Sequence, residues 1–134
     1  MTSRKTKGVN FERELVIKFR ERNIAAIRVA GSGSTKYASP DIIAGKNGKI
    51  IAIECKSTME NTYYFPKPTM KELLEFTSQA GITPIFALRV PRDGWFFFTE
   101  YELEELNQTE KAYIIKKDTL LESRNFENFI STHF

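Results

Sequence analysis

A chain of 134 residues with 41% hydrophobic and 13% aromatic content is sized for one domain with a real core, which excludes disorder for most of it. A single cysteine, Cys55, excludes an internal disulfide and a cysteine-based zinc set, and a single histidine, His133 beside the C-terminus, argues against histidine-dependent catalysis. The net charge of +3 is unevenly spread: residues 1–68 carry 13 Lys/Arg against 6 Asp/Glu and residues 69–134 carry 7 against 11, so the basic first half fits an anionic partner, nucleic acid first.

Residues 1–8 (MTSRKTKG) are polar and hold three positive charges, and they read as a flexible basic arm. No apolar h-region of a secretory signal is present, and no apolar run approaches the roughly 18–20 residues of a membrane span. The expectation is a protein of a reducing cytoplasm with no membrane partner. Phe11, Leu15 and Phe19 recur at four-residue spacing with Val16 beside them, which predicts a helix over residues 10–22. IAAIRVA (24–30) reads as a strand. GSGSTKYASP (31–40) is a loop of small residues; it lacks the spacing of a phosphate-binding GxxxxGK[ST] loop, so no nucleotide cofactor is expected.

Two apolar strands, about 41–45 and 49–56, then flank Asn47-Gly48. Residues 57–68 (STMENTYYFPKP) read as a loop or ragged strand extension with exposed aromatics. Thr69 and Glu72 have the spacing of a capping box, opening a helix that holds Met70, Leu73, Leu74 and Phe76 and stops at Gly81. TPIFALRV (83–90) and WFFFT (95–99) are strands joined by a PRDG turn, with Trp95 and Phe96–Phe98 as core or dimer interface. The acidic stretch 100–110 is surface or short helix, AYII near 113–116 is a short edge strand, and Leu120, Leu121, Phe126, Phe129 and Ile130 mark a last helix. This order predicts an α/β fold, a central mixed β-sheet flanked by α-helices, in a single domain over residues 1–134.

The hairpin carries an anomaly. An Asn-Gly type I′ turn pairs Lys46 with Lys49 and, counting outward, sets Asp41 opposite Glu54. Opposed residues share a face with Cβ atoms about 5 Å apart, and like charges at that distance repel unless something positive lies between. Strand alternation puts Lys56 on the face of Glu54, while Ile51, Ile53 and Cys55 take the other. A divalent cation with a preference for hard oxygen ligands, Mg²⁺ or Mn²⁺, meets the need. A solvent-facing charged edge neutralised by Lys56 also satisfies the pattern. Cys55 itself reads as core packing.

Pro40-Asp41, twelve intervening residues, then Glu54-Cys55-Lys56 resembles the PD-(D/E)xK signature of restriction-endonuclease-like nucleases. NFERELV (10–16), IRVAGSGS (27–34) and PDIIAGKNGKIIAIECKS (40–57) together resemble archaeal Holliday junction resolvases over roughly residues 7–90. The resemblance implies that Glu12, Asp41 and Glu54 bind metal, joined by the backbone carbonyl of Cys55. It implies that Lys56 stands near the attacking water, that Ser32 is a catalytic serine, and that Arg13 and Arg28 lie near the scissile phosphate. Further DNA contacts are expected from Arg4, Lys5 and Lys7 of the arm, from Ser34 and Lys36 of the small-residue loop, and from Lys67.

The function so implied is a structure-selective endonuclease resolving four-way DNA junctions by paired Mg²⁺-dependent phosphodiester hydrolysis, with Mn²⁺ substituting, in recombination and repair. The implied partners are branched DNA and a second copy of the chain, in the cytoplasm with the nucleoid. Contacts between copies are placed on the 69–80 helix and the aromatic strand 95–98. Alternatives are another nuclease with the same signature, acting on flaps, forks, mismatches or restriction sites, and a non-catalytic DNA-binding subunit on the same fold.

Overall fold

A computed structural model describes residues 4–31 and 37–134, with residues 4–7 as backbone alone. Helix α1 spans Arg4–Arg20, followed by strands β1 (Ala25–Arg28), β2 (Ile42–Lys46), β3 (Lys49–Ser57) and β4 (Thr62–Pro66). Helix α2 spans Lys67–Ala80, strands β5 and β6 span Thr83–Val90 and Gly94–Thr99, and a short helix α3 spans Glu100–Glu104. Strand β7 (Ala112–Lys116) and helix α4 (Phe126–His133) complete the chain.

Five strands form one mixed sheet in the order β1-β2-β3-β5-β6, with β3 and β5 parallel and the other pairs antiparallel. A parallel pair cannot be joined by a tight turn, and β4 with α2 supplies the crossover. The pleat of β3 sorts its side chains into two cores. Ile51, Ile53 and Cys55 face Leu15 and Phe19 of α1 together with Phe126 and Phe129 of α4. Ala52 faces the opposite way, toward Met70 and Leu73 of α2, Phe65 of β4 and Tyr113 of β7. The expected mixed sheet flanked by helices is therefore present, with a helical layer on each face. Among the described residues no helix is long and apolar enough to cross a membrane.

Several local expectations change. Helix α1 begins at Arg4, so residues 4–8 of the expected flexible arm are helical. Arg and Lys are good helix formers, and the single Gly8 costs only about 1 kcal/mol relative to alanine, so the helix propagates through the basic segment. The 57–68 segment is more ordered than predicted. It holds β4, paired with β7, and Phe65 is fully buried, stacked on Phe86 with ring centroids 3.8 Å apart. Tyr64 alone of that aromatic run is exposed.

The capping box at Thr69–Glu72 does not form, because α2 already starts at Lys67, whose N–H is taken by the Lys111 carbonyl at 2.9 Å. A full capping box forms instead at Thr99 and Glu102, opening α3. Gly81 ends α2 in the left-handed region, as expected. Trp95 and Phe96–Phe98 are all buried in the chain's own cores, which removes strand 95–98 as a side-chain surface for a second copy.

Candidate active site

The Asn-Gly turn acts as the sequence predicts. Asn47 and Gly48 both have positive φ, of 53° and 83°, and the ladder runs from Lys46↔Lys49 to Ile42↔Ile53. There it ends. The N–H of Asp41 donates to the Ile53 carbonyl (2.9 Å) and its own carbonyl accepts from Val29 N–H (2.8 Å), so the residue is held from both neighbouring strands. With its backbone fixed, the Asp41 carboxylate turns to β3 and accepts from Cys55 N–H at 2.8 Å.

Glu54 continues β3 past the end of the β2 ladder, close enough to Asp41 for the two carboxyl groups to interact electrostatically. Its carboxyl is pushed up from 4.5 to about 8, first by burial and then by the charge of Asp41, against which Lys56 pulls it down. Lys56 Nζ stands 3.8 Å from Glu54 Oε1, and its side chain is 43% exposed. Glu12 arrives from α1. Burial and Asp41 raise its carboxyl to about 7, opposed by Arg28, whose Nη1 lies 3.7 Å from Glu12 Oε1. Glu12, Asp41, Glu54 and Lys56 are thus electrostatically one group, although they come from a helix, a strand entrance and a strand end.

The donor set is carboxylate oxygen held against its own repulsion, the condition a hard divalent cation relieves. Among the described residues no three acidic, histidine or cysteine side chains converge closely enough to form a ready cage. The Asp41–Glu54 pair nonetheless fits a Mg²⁺ ion, which keeps several waters and is commonly bound through one or two carboxylates. Because a strand residue's N–H and C=O leave on the same edge, the Cys55 carbonyl faces the side on which its N–H meets Asp41. The Cys55 thiol points into the core, where burial pushes it well above its usual range, so it is no nucleophile.

Of the expected DNA contacts, Arg13 is exposed on α1, Arg28 is half-buried against Glu12, and Lys67 begins α2 with Nζ 5.5 Å from the Tyr113 ring centroid. Arg4, Lys5 and Lys7 stand on the first turns of α1, and their side chains lie outside the described residues, as do Ser32, Ser34 and Lys36 altogether. Sequence reasoning passed over Tyr63 of β4. Its phenol is raised to about 12 by burial and by the charge of Glu54, and its ring lies 6.1 Å from that of Phe86, the β5 neighbour of Glu54. Its proximity depends on β4 pairing with β7, a contact no local pattern announces.

Comparison with known proteins identifies the family and the fold. The model of the archaeal Holliday junction resolvase (Hjc) family matches residues 3–134. The crossover junction endodeoxyribonuclease Hjc of Archaeoglobus fulgidus is 38% identical over 111 residues, covering 83% of this chain and 79% of that protein. The protein of the same name from Sulfolobus acidocaldarius is 34% identical over 131 residues, covering 96% of this chain and 89% of its own. The solved structure of A. fulgidus Hjc, described as a Holliday junction resolvase from an archaeal hyperthermophile, superposes with a TM-score of 0.80 at 32% identity, covering 93% of this chain and 99% of that one. The fold is accordingly the restriction-endonuclease-like one.

Proposed function

The chain belongs to the archaeal Holliday junction resolvase family, and from that premise we propose that it is a metal-dependent endonuclease that recognises four-way DNA junctions and cuts opposing strands in pairs. The observation that carries the reading is the Asp41 carboxylate fixed by Cys55 N–H at the end of β3, beside Glu54 with Lys56 3.8 Å from it, and with Glu12 in the same electrostatic group. A protein that only bound DNA would gain nothing from carboxylates placed where phosphates must approach.

Asp41 and Glu54 would hold Mg²⁺, with the Cys55 carbonyl as a further oxygen and Glu12 reaching the ion from α1 directly or through a water. When bound, such an ion acidifies a coordinated water and neutralises charge on the phosphate. The chain's own side chains do the rest. Cys55 N–H fixes the Asp41 carboxylate in one orientation. Lys56, beside Glu54, orients the attacking water and offsets charge growing on the phosphorane oxygens. Arg28 holds Glu12 in place and presents positive charge to the same phosphate. Products carry 5′-phosphate and 3′-hydroxyl ends.

Phosphate contacts give affinity without sequence information, so junction choice rests on shape and on two sites in a two-fold dimer. Ile27 and Ile50, exposed on the sheet face that carries the partly buried Ile43, supply apolar surface for that pairing beside α2. Arg4, Lys5, Lys7, Arg13, Ser34, Lys36 and Lys67 grip the duplex arms, and the cytoplasm holds the substrate.

The test incubates the protein with a labelled four-way junction, a linear duplex and a flap, in Mg²⁺, Mn²⁺ or EDTA. Symmetric paired cuts confined to the junction and dependent on metal are expected. Preferential cutting of flaps or duplex would reassign the substrate, and tight junction binding without cleavage would leave a DNA-binding subunit.

A further inference from the structure

Glu12 reaches the site from a helix, so the roll of that helix about its axis decides where the carboxylate lies. Two residues along a helix are about 200° apart, so Glu12 and Glu14 leave α1 on opposite flanks. Glu12 leaves toward Arg28 at the C-terminal end of β1. Glu14 leaves toward the other half of the sheet, where its Oε2 accepts from Arg89 Nε of β5 at 2.8 Å and from Trp95 Nε1 of β6 at 3.0 Å. The Arg89 guanidinium also lies over the ring of Phe11, one residue before Glu12, 4.3 Å from its centroid. Given the order β1-β2-β3-β5-β6, the two anchors stand three strand spacings apart, about 14 Å. The buried ridge of Leu15 and Phe19 sets the distance of α1 from the sheet, and the Glu14 hydrogen bonds add a directional constraint at the helix flank.

Arg89 also ties down the other side of the site. Its register partner is Ser57, and its carbonyl accepts from Thr58 N–H at 3.0 Å, just past Lys56. A single residue therefore joins the helix that carries Glu12 to the strand that carries Glu54 and Lys56.

We propose that Glu14, held between Arg89 and Trp95, is a positioning residue that fixes the roll of α1 and so presents Glu12 to the Asp41–Glu54 pair. The inference rests on the reading of Glu12 as a site residue. Glu14 touches neither metal nor phosphate; it acts through Glu12. Misplacement of a catalytic group by about 1 Å costs up to about 100-fold in rate, so a partial roll costs less than that.

The test uses the full chain with Glu14→Ala, Glu14→Gln, Glu12→Gln and the double change Glu12→Gln with Glu14→Ala. Two quantities are read: single-turnover cleavage of a four-way junction, and binding of Mn²⁺ alone, without DNA, by water-proton relaxation. Glu14→Ala is expected to slow cleavage about 10- to 30-fold and to weaken Mn²⁺ binding severalfold, with junction affinity in EDTA unchanged within about twofold. Glu14→Gln keeps an oxygen that accepts from both N–H groups and is expected to stay within about threefold in both measurements. The double change is expected to be no worse than Glu12→Gln alone, since both losses run through one carboxylate.

Glu14→Ala matching the unmodified chain in both measurements overturns the proposal, and so does a double change whose losses multiply. If the unmodified chain leaves junctions intact while Glu14→Ala still weakens Mn²⁺ binding and Glu14→Gln restores it, the proposed substrate falls and the positioning role stands. The single tryptophan gives an independent check, because its emission must change in Glu14→Ala if the Trp95–Glu14 bond exists.

Discussion

Along β3, residues 51–53 and residues 54–56 meet opposite physical conditions. Ile51, Ala52 and Ile53 are at most 3% exposed, and each removes apolar surface from water against one of the two cores. Glu54 and Lys56 continue the same strand with the same backbone pairing to β5, yet carry charge, and Glu54 is desolvated without full compensation. The first segment is satisfied in every respect. The second is held in an arrangement its own electrostatics oppose, which is the usual condition of a functional site. The comparison teaches how the fold tolerates this: the stacked Phe65–Phe86 pair beside Glu54 and the isoleucines buried on the opposite face of β3 hold the strand in place against the unfavourable electrostatics.

The comparison can be broken most sharply by separating activity from stability. Asp41→Asn and Glu54→Gln should each abolish Mg²⁺-dependent junction cleavage while junction binding in EDTA survives and thermal stability stays equal or rises. Retained cleavage in either variant would remove these carboxylates from the chemistry. Phe86→Ala tests the supporting layer. It should cost about 3–5 kcal/mol in a urea melt, because a fully buried ring stacked on Phe65 leaves a cavity. A loss below about 1 kcal/mol would mean that the aromatic pair beside Glu54 is not what holds it.

A pH series sharpens the contrast further. A carboxyl whose folded pKa lies above its unfolded value binds its proton more tightly in the folded protein, so its contribution to stability is present below about 4.5 and is lost as pH rises. For Glu12 and Glu54 the loss runs from 4.5 through about 7 and about 8 respectively. Metal-free protein should therefore lose more stability between pH 6 and 9 than the Glu54→Gln variant does, and excess Mg²⁺ should reduce the difference. Identical pH dependence in the two proteins would show that Glu54 is not strained. The smallest expected effect is at the far end of the hairpin. Gly48→Ala places a side chain at φ +83° with open space around it, costing about 1 kcal/mol and leaving cleavage intact.

What was legible in the sequence was local. The Asn47-Gly48 turn set a register that the structure reproduces pair by pair to Ile42↔Ile53, because turn chemistry and strand alternation need no distant information. The apolar spacing of Phe11, Leu15 and Phe19 located the buried side of α1, and Gly81 located the end of α2. The Thr69–Glu72 box misled because a cap motif is decided by where the helix starts, and α2 starts at Lys67, whose N–H pairs with Lys111 just before β7. Phe65 was read as exposed for the same reason: its ring is covered by residues of β5 and β7.

The sequence by itself determined which residue types stand at the end of the hairpin, the register that brings Asp41 to Glu54, and the family to which the chain belongs. The resemblance already named Glu12 and Arg28; the tertiary structure alone decided that the two pair with each other beside Asp41, that Tyr63 lies near Glu54, and that Glu14 is tied to Arg89 and Trp95, 75 and 81 residues away. Hydrogen bonds across a turn or along one helix are dictated by neighbours in the chain. Contacts at such separation exist only once the hydrophobic burial of two cores has set how helix, ribbon and sheet lie on one another.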